Sequence, residues 1–350
     1  MNLKHLILLF FLWIYFLENI FSQNTETDRF RFAFYNVENF FDVNIDSTRD
    51  YNAFTPEGEQ RWTYYRYINK RNNMFRTIMA VGEWQAPSLV GLCEVENEVV
   101  ISDLIYHTPL KNSNYSFVHY HSPDFRGIDV ALIYRKDHLR LISSRPIPVS
   151  DPNNKSFRTR DILYADFIIN ELDTVHVYVN HWPSRFGGVL ASIPRRMLAA
   201  RTLRQDVDSL MAVKPHAKVI IMGDFNDTPE DDSIIKGLRA FPPESISASD
   251  DLIHLFTDPK KLGHIGTLKF QHMWQIFDHI IISQHLYRAD SGISYKPGSA
   301  TIFAADFLLT EDKRYLGKKL FRTYVGPRYV GGYSDHLPVF IDLEIKSGEE

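Results

Sequence analysis

Apolar and polar residues follow one another along the chain in short runs separated by turn-forming residues. Eight runs rich in β-branched and aromatic side chains predict strands; they cover residues 30–36, 115–120, 129–134, 163–169, 175–179, 219–222, 280–282 and 339–343. In one of them Val175, Val177 and Val179 alternate with His176 and Tyr178, which is the period of a strand with two different faces.

Two longer patterns, at residues 70–83 and 194–211, predict helices. The second places Ala199, Leu203 and Val207 on one face at helical spacing. Because strands and helices are interspersed without a linker or an internal repeat, the pattern predicts a single α+β domain over residues 23–350, in which helices cover packed sheets.

The N-terminus has the pattern of a secretory signal peptide. Lys4 precedes an apolar run at residues 6–17, which is shorter than the about 20 residues needed to cross a bilayer. We expect residues 1–22 to be cleaved, so that the mature chain begins at Gln23 and is exported to a bacterial periplasm or secreted. The alternative is an uncleaved anchor lengthened by Ile20 and Phe21.

Composition narrows the class of protein. The chain has 350 residues, of which 44% are hydrophobic, enough for a large core. Its formal net charge of -4 excludes a polybasic protein that coats nucleic acid. The only cysteine, Cys93, cannot form an intramolecular disulfide.

The strongest chemical signal is an apolar strand that runs through Gly223 into Asp224-Phe-Asn226. The two-residue period of a strand predicts that Asp224 and Asn226 lie on the same side of the chain. Two such oxygen-bearing side chains could orient a water molecule and hold a phosphoryl oxygen. The alternative is an Asx-type turn that closes the strand.

A second signal lies near the C-terminus, where Asp335-His336 precedes an apolar strand. Asp335 suits a hard divalent cation, and His336 suits proton transfer or phosphate contact near neutral pH. Asp278, at the start of another strand, could orient the His336 ring through its other nitrogen.

Two further groups of polar residues stand at predicted strand ends. Asn36 and Glu94 add an amide and a carboxylate to the oxygen donors, and His181 and Arg185 are natural phosphate ligands. Each residue alone also has an ordinary structural explanation, as a turn former or as a core histidine. Five such segments in this order favour a functional site.

The five segments resemble the endonuclease/exonuclease/phosphatase superfamily, which includes pancreatic-type deoxyribonuclease, abasic-site endonucleases, neutral sphingomyelinases and inositol polyphosphate 5-phosphatases. The resemblance runs from residue 32 to about residue 343. It implies a four-layer α/β sandwich, in which two mostly antiparallel β-sheets pack face to face between helices and the site lies where strand ends of both sheets meet.

The resemblance also implies metal and substrate ligands. It makes Asn36, Glu94 and Asp335 metal-site residues, with Glu94 the principal ligand. Asn36 and Arg185 would also contact the substrate.

The same resemblance implies catalytic roles. Asp224 would orient or deprotonate the attacking water, and Asn226 would hold a phosphoryl oxygen. His181 would bind phosphate or protonate the leaving oxygen, with Asp129 as a candidate partner. His336, paired with Asp278, would contact the scissile phosphate or act as a base.

The oxygen-rich ligand set predicts Mg²⁺, with Mn²⁺ as a substitute, since no cysteine or paired-histidine cluster suggests zinc. Water is the expected nucleophile, because Cys93 lies inside an apolar strand. Two segments rich in aromatic and basic residues, 61–71 and 313–329, are candidates to line the substrate groove, and a solvated insertion is the alternative for the second.

These features predict an exported phosphodiesterase that acts as a nuclease on DNA or RNA. A phosphomonoesterase or a sphingomyelinase-like lipid-headgroup phosphodiesterase would use the same residues, and a binding module without activity is a further alternative. The pattern Asn226-Asp-Thr228 matches a glycosylation acceptor at the predicted site. Because a glycan there would block catalysis, the pattern favours a bacterial location. We predict no obligate protein partner and expect a monomer.

Overall fold

The computed structural model describes residues 29–48 and 51–347, so the predicted signal peptide lies outside the described residues. Four α-helices are described: α1 (Tyr64–Gly82), α2 (Glu98–Tyr106), α3 (Val189–Val213) and α4 (Gln284–Tyr287). Short 3-10 or π-helical turns lie at Pro109–Ser113, Ser233–Leu238, Pro243–Ser245, Pro259–Lys261 and Asp306–Leu308. Within these residues, no helix is both long and apolar enough to span a bilayer.

The strands are introduced here in chain order. They are β1 (Phe30–Phe40), β2 (Leu89–Val95), β3 (Tyr115–His119), β4 (Asp129–Arg135), β5 (Leu139–Ile147), β6 (Ile162–Ile169), β7 (Asp173–His181), β8 (Lys218–Asp224), β9 (Ala240–Phe241), β10 (Leu252–His254), β11 (Leu268–Phe270), β12 (Met273–Gln275), β13 (Asp278–Ile282), β14 (Gly292–Tyr295), β15 (Thr301–Ile302), β16 (Leu309–Glu311), β17 (Lys318–Leu320), β18 (Tyr324–Val325), β19 (Arg328–Tyr329) and β20 (Val339–Lys346).

Two seven-stranded sheets dominate the fold. The first has the order β14-β20-β1-β2-β4-β3, with β15 also paired to β20, and the second has the order β5-β6-β7-β8-β13-β10-β9. The pairs β1–β2, β7–β8 and β9–β10 are parallel, and the other neighbours in these sheets are antiparallel. The prediction of mostly antiparallel sheets is confirmed.

Alternation along the strands explains the layers. In β1, Phe32 and Phe34 point into a core shared with the second sheet, whereas Ala33 and Tyr35 belong to an outer core under α1 and α2. In β7, Val177 likewise faces the other sheet, while Tyr178 joins the outer core under α3. Helix, sheet, sheet and helix therefore stack in four layers, as the resemblance implied.

All eight predicted strands are present, but both predicted helices are longer than expected. The helix predicted at 70–83 begins at Tyr64, and the one predicted at 194–211 covers Val189–Val213. The first turn of α3 shows no apolar periodicity because Val189 and Leu190 are exposed.

The prediction that residues 61–71 form a loop is wrong, whereas contact of this segment with substrate stays a prediction. Most of this segment is the start of α1, in which Tyr67 is buried whereas Tyr64 and Tyr65 are exposed. Trp62 is fully buried in the outer core and donates from Nε1 to the Phe41 carbonyl oxygen at 2.9 Å. Lys70 is buried as well. An aromatic and basic composition alone did not reveal which of these side chains point inward.

Candidate active site

Strand register brings three predicted site residues together. In the second sheet His181 lies opposite Asp224 on the parallel pair β7–β8, and Asp224 lies opposite Asp278 on β13. Gly223 allows the close approach of β8 to β7, since a Cβ atom there would lie 2.4 Å from the Asn180 carbonyl oxygen. The close approach of these two strands beside the candidate site therefore requires a residue without a side chain at this position.

The first sheet contributes Asn36 and Glu94 from β1 and β2. Pairing between these strands is interrupted after Asn36, where Glu38 and Asn39 adopt left-handed φ values of 52° and 58°. Glu94 also has a left-handed φ, of 62°, at the irregularity of β2. These irregularities end the regular ladder and leave side chains free to turn towards the second sheet.

One carboxylate oxygen, Oδ2 of Asp224, is the centre of the site. Asn36 donates to it from Nδ2 at 3.0 Å, which joins the two sheets directly. The Nε2 atoms of His181 and His336 lie 3.7 Å and 3.8 Å from the same oxygen. The predicted residues of four separate segments therefore converge on one buried atom.

His336 and Asp278 form the predicted pair. His336 Nδ1 lies 2.8 Å from Asp278 Oδ2, and both side chains are buried. Burial alone would lower the pKa of His336, but the charges of Asp278 and Asp224 and the hydrogen bond outweigh it and raise the pKa well above its ordinary value. These charges therefore favour the protonated form of the ring.

His181 has the opposite electrostatic character. Its pKa is held well below the ordinary value, first by burial and then by the positive charges of Arg160 and Arg126. Its Nε2 lies 3.9 Å from Glu94 Oε1, and its Nδ1 has no hydrogen-bond partner among the described residues. The pKa values of the two imidazoles are thus shifted in opposite directions, towards the neutral form for His181 and towards the protonated form for His336.

The candidate partner of His181 is not confirmed. Asp129 instead contacts His119 and His121. The backbone of His181 is held by Arg160, which donates to the carbonyl oxygens of His181 and Trp182. The order of residues along the chain did not show which strand end Asp129 faces.

Asn226 lies at the edge of the site but not by strand alternation. β8 ends at Asp224, and Asn226 has a left-handed φ of 52°. Its backbone N–H donates to Asp224 Oδ1 at 3.0 Å, and its Nδ2 donates to the Trp182 carbonyl oxygen. The Asx-type turn and the predicted site thus occur in the same segment, because the turn is what holds the Asp224 carboxylate in place.

Arg185 supports this turn. Its guanidinium donates to the Asn226 carbonyl oxygen and to the carboxylates of Asp227 and Asp231. These contacts satisfy much of its hydrogen-bonding capacity, so the geometry favours positioning of the Asn226 loop. Direct contact of Arg185 with substrate stays a prediction.

Asp335 belongs to a second group of charges beside the first. Its carboxylate accepts from Arg322 Nη2 at 2.8 Å, and Glu38 accepts from Arg322 Nε at 3.0 Å. Glu38 also accepts from the Thr323 N–H. Lys70 donates to Thr323 Oγ1 and to the Tyr333 carbonyl oxygen. Sequence reasoning gave Glu38 no role, although it stands in the same motif as Asn36.

The residues present fit a divalent cation. Asp278 Oδ1 is buried and has no hydrogen-bond partner in the described part of the chain. Burial raises the pKa values of Asp224 and Glu38, as expected where buried negative charge is incompletely compensated. Two groups of close potential ligands share Asp224, one with Cys93 and His181 and one with Asp278 and His336. Glu94 and Asp335 belong to neither group, so their role as metal ligands stays a prediction.

Comparison with known proteins agrees with the fold and the motifs. A family model described as the endonuclease/exonuclease/phosphatase family matches residues 31–345. A search of curated protein sequences returns no match.

Solved structures with the same fold share little sequence with this chain. A mannosyl-6-phosphatase from Bacteroides thetaiotaomicron has a TM-score of 0.56 at 14% identity, covering 90% of this chain and 99% of that one. ANGEL2, a 2',3'-cyclic phosphatase, has a TM-score of 0.57 at 13% identity, covering 92% and 97%. TDP2 from D. rerio, complexed with a single-strand DNA product, has a TM-score of 0.52 at 13% identity, covering 91% and 99%.

At these identities the structures establish the fold alone, whereas the family model spans most of the sequence from β1 to β20. Together with the convergence of the predicted residues, this match settles the assignment. The chain belongs to the endonuclease/exonuclease/phosphatase family.

Proposed function

We propose that this protein is an exported, Mg²⁺-dependent phosphodiesterase that cleaves DNA or RNA. The observation that carries the proposal is the surround of Asp224 Oδ2, where Asn36 donates from the first sheet and His181 and His336 approach from different strand ends. A carboxylate flanked by donors of opposite protonation state suits attack of water on phosphorus.

In this proposal each residue has one task. Asp224 orients the attacking water, and the neutral His181 binds the phosphate through Nε2. The cationic His336, held by Asp278, contacts the scissile phosphate, and Asn226 holds a phosphoryl oxygen. Asn36, Glu94 and Asp335 would hold Mg²⁺ or Mn²⁺, which polarises the phosphoryl oxygen when bound.

Two hairpins next to the site favour an extended polymeric substrate. The hairpin β11–β12 leads into Asp278, and the hairpin β16–β17 precedes Asp335 in the chain. Lys269 ties the two together through Asp312 and the carbonyl oxygens of residues 316 and 318. Their exposed side chains include the apolar Phe270, Met273 and Leu316, and also Lys313 and Arg314. Exposed rings and cations suit bases and phosphates.

A second candidate is a phosphomonoesterase or a lipid-headgroup phosphodiesterase. It is favoured by the pairing of basic residues near the site, since Lys318 contacts Asp306 and Arg322 contacts Glu38 and Asp335. A small headgroup needs fewer unpaired cations than a nucleic acid does. The sugar-phosphatase and cyclic-phosphatase structures show that the fold hosts such chemistry.

The test compares substrates on the mature protein from Gln23 onward. Plasmid DNA and RNA would be incubated with Mg²⁺ or with EDTA, beside bis-p-nitrophenyl phosphate and p-nitrophenyl phosphate. We expect Mg²⁺-dependent cleavage of nucleic acid, lost in Asp224→Asn and kept in Asp166→Asn. Asp166 is an equally buried carboxylate that accepts from Ser143 on the edge of the second sheet.

The outcomes separate the candidates. Intact nucleic acid with hydrolysis of p-nitrophenyl phosphate would favour the phosphomonoesterase. Full activity of Asp224→Asn would refute the site assignment itself. Salt dependence of binding offers a further check, because each phosphate contact with a single strand contributes about 0.7 to the log–log slope.

Export is proposed from the sequence of residues 1–22. Expression of the full chain in a bacterial host and N-terminal sequencing of the periplasmic fraction would test it. A mature N-terminus at Gln23 is expected, and a protein retained in the cytoplasm with an intact N-terminus would refute it.

A further inference from the structure

Outside the candidate active site, two histidines and one aspartate converge at the end of the first sheet. His119 is the last residue of β3, His121 follows two positions later, and Asp129 is the first residue of β4. His119 Nε2 and His121 Nδ1 lie 3.0 Å and 3.1 Å from the same atom, Asp129 Oδ2. One ligand atom from each residue falls within a group whose members all lie within 4.8 Å of one another.

The surroundings form a built site rather than a chance contact. The side chains of His119 and Asp129 are buried, whereas that of His121 is 73% exposed. Asp129 Oδ1 is held by the Ser122 N–H at 2.8 Å, which leaves Oδ2 for the two rings. His119 Nδ1 is buried and has no hydrogen-bond partner within residues 29–48 and 51–347, so the polar contact of this ring is directed at the cluster.

A simple hydrogen-bond network explains these contacts less fully than a shared cation does. Both rings address one oxygen atom, at separations close to the about 3.3 Å that neighbouring ligand atoms adopt when each lies about 2.0–2.1 Å from a tetrahedral ion. Asp161 provides a second carboxylate nearby, since its pKa is raised first by burial and then by the charge of Asp129. A cation would compensate both carboxylates.

We propose that His119, His121 and Asp129 form a transition-metal site of the zinc class, separate from the Mg²⁺ site. Two imidazole nitrogens and one carboxylate oxygen suit Zn²⁺ or Co²⁺ rather than Mg²⁺, which prefers oxygen ligands. The exposed His121 gives the ion a path from solvent. The expectation from the sequence that no paired-histidine cluster suggests zinc is therefore corrected, because His119 and His121 meet Asp129 only across the β3–β4 connection.

The proposed site would stabilise the loop that supports His181. Between His121 and Asp129 this loop carries Asp124, which pairs with Arg160 Nη1 at 3.1 Å. Arg160 in turn holds the backbone carbonyl oxygens of His181 and Trp182. Metal binding at the cluster should therefore stabilise the loop and the position of His181 without taking part in the reaction.

The test uses the full mature protein with Co²⁺ as a spectroscopic probe, in the presence of excess Mg²⁺ to occupy the active site. We expect one Co²⁺ per chain with visible d–d absorption and no thiolate charge-transfer band. His121→Ala should weaken binding by at least about 100-fold, since even changes beyond the ligands themselves cost about 10- to 100-fold. His121 is the informative position because its side chain is exposed, so that its truncation leaves no cavity in the core.

The matched control is His107→Ala. His107 is also exposed and lies 2.6 Å from one carboxylate, Asp103, but it belongs to no group of three close potential ligands among the described residues. This variant should bind Co²⁺ as the parent protein does. Co²⁺ binding that survives His121→Ala, or that is lost in Cys93→Ala with a thiolate band in the parent, would overturn the proposal by placing the ion elsewhere. Absence of any Co²⁺ absorption would overturn it as well.

Discussion

The pair His336–Asp278 offers the sharpest test of the site. Asp278→Asn keeps the shape of the buried side chain but removes the charge that stabilises the imidazolium. A hydrogen bond to a charged group contributes about 1.5–3 kcal/mol, and its 2.8 Å length is in the range of charge-assisted bonds. If that contribution is made in the transition state, kcat should fall by about 10- to 150-fold. KM should change little, because Asp278 is fully buried and cannot touch substrate.

The assay is steady-state hydrolysis of whichever substrate the parent protein cleaves best, at constant Mg²⁺. Asp251→Asn is the matched control, since Asp251 is a buried carboxylate held by Arg239 near the opposite end of β13. It should lower the free energy of unfolding but leave kcat unchanged. A kcat of Asp278→Asn within about twofold of the parent value, with intact fold, would show that the His336 charge has no part in catalysis.

Four further outcomes are expected. Gly223→Ala should destabilise the fold by about 1–3 kcal/mol and lower activity, because its Cβ would displace Asn180 beside the site; urea unfolding and kcat measure both effects. Trp62→Phe should cost about 1–3 kcal/mol of stability, since it leaves the buried carbonyl oxygen of Phe41 without its donor, yet KM should stay unchanged if this segment is structural. Burial lowers the pKa of His176 from 6.5 to about 4. Between these pH values the unfolded chain binds a proton that the folded chain does not, so stability falls as the pH drops. Between pH 7 and 4.5 the free energy of unfolding of the parent should fall by about 2–3 kcal/mol relative to that of His176→Leu, as measured by urea unfolding. Removal of divalent cations with EDTA should abolish hydrolysis, and Mg²⁺ or Mn²⁺ should restore it; activity that persists in EDTA would refute the metal requirement.

Much of the fold could be predicted because the central strands are runs of β-branched and aromatic residues that are buried on both faces. The runs at β1, β7 and β8 are confirmed for this reason. β5 was missed because Arg140, Ser143 and Ser144 interrupt its apolar positions, as expected for a strand at the edge of a sheet. α2 was missed as well, because its nine residues are too few for a helical period to stand out.

The residues of the candidate site and the contact between His336 and Asp278 could be predicted, whereas most other contacts could not. Asp224, His336 and Asp278 follow or precede apolar strands, and such ends gather at one edge when the sheets pack. Sequence gave no signal for the contact between Arg322 and Glu38, which lie 284 positions apart. The contacts of Asp129 with His119 and His121 were missed for a similar reason, since two histidines separated by one residue commonly bind nothing.

The basic residues once expected to line a substrate groove act instead, in part, from behind the site. Lys70 is buried on α1, and burial lowers its pKa to about 8 against the opposing charges of Glu38 and Asp335. A cation held there compensates carboxylates that would otherwise repel one another. Arg322 does the same from the C-terminal segment. Removal of one partner leaves an uncompensated buried charge, so changes at Lys70 should affect stability and metal binding together. This effect is expected even though Lys70 donates to Thr323 and Tyr333 rather than to Asp224, the residue predicted to orient the attacking water.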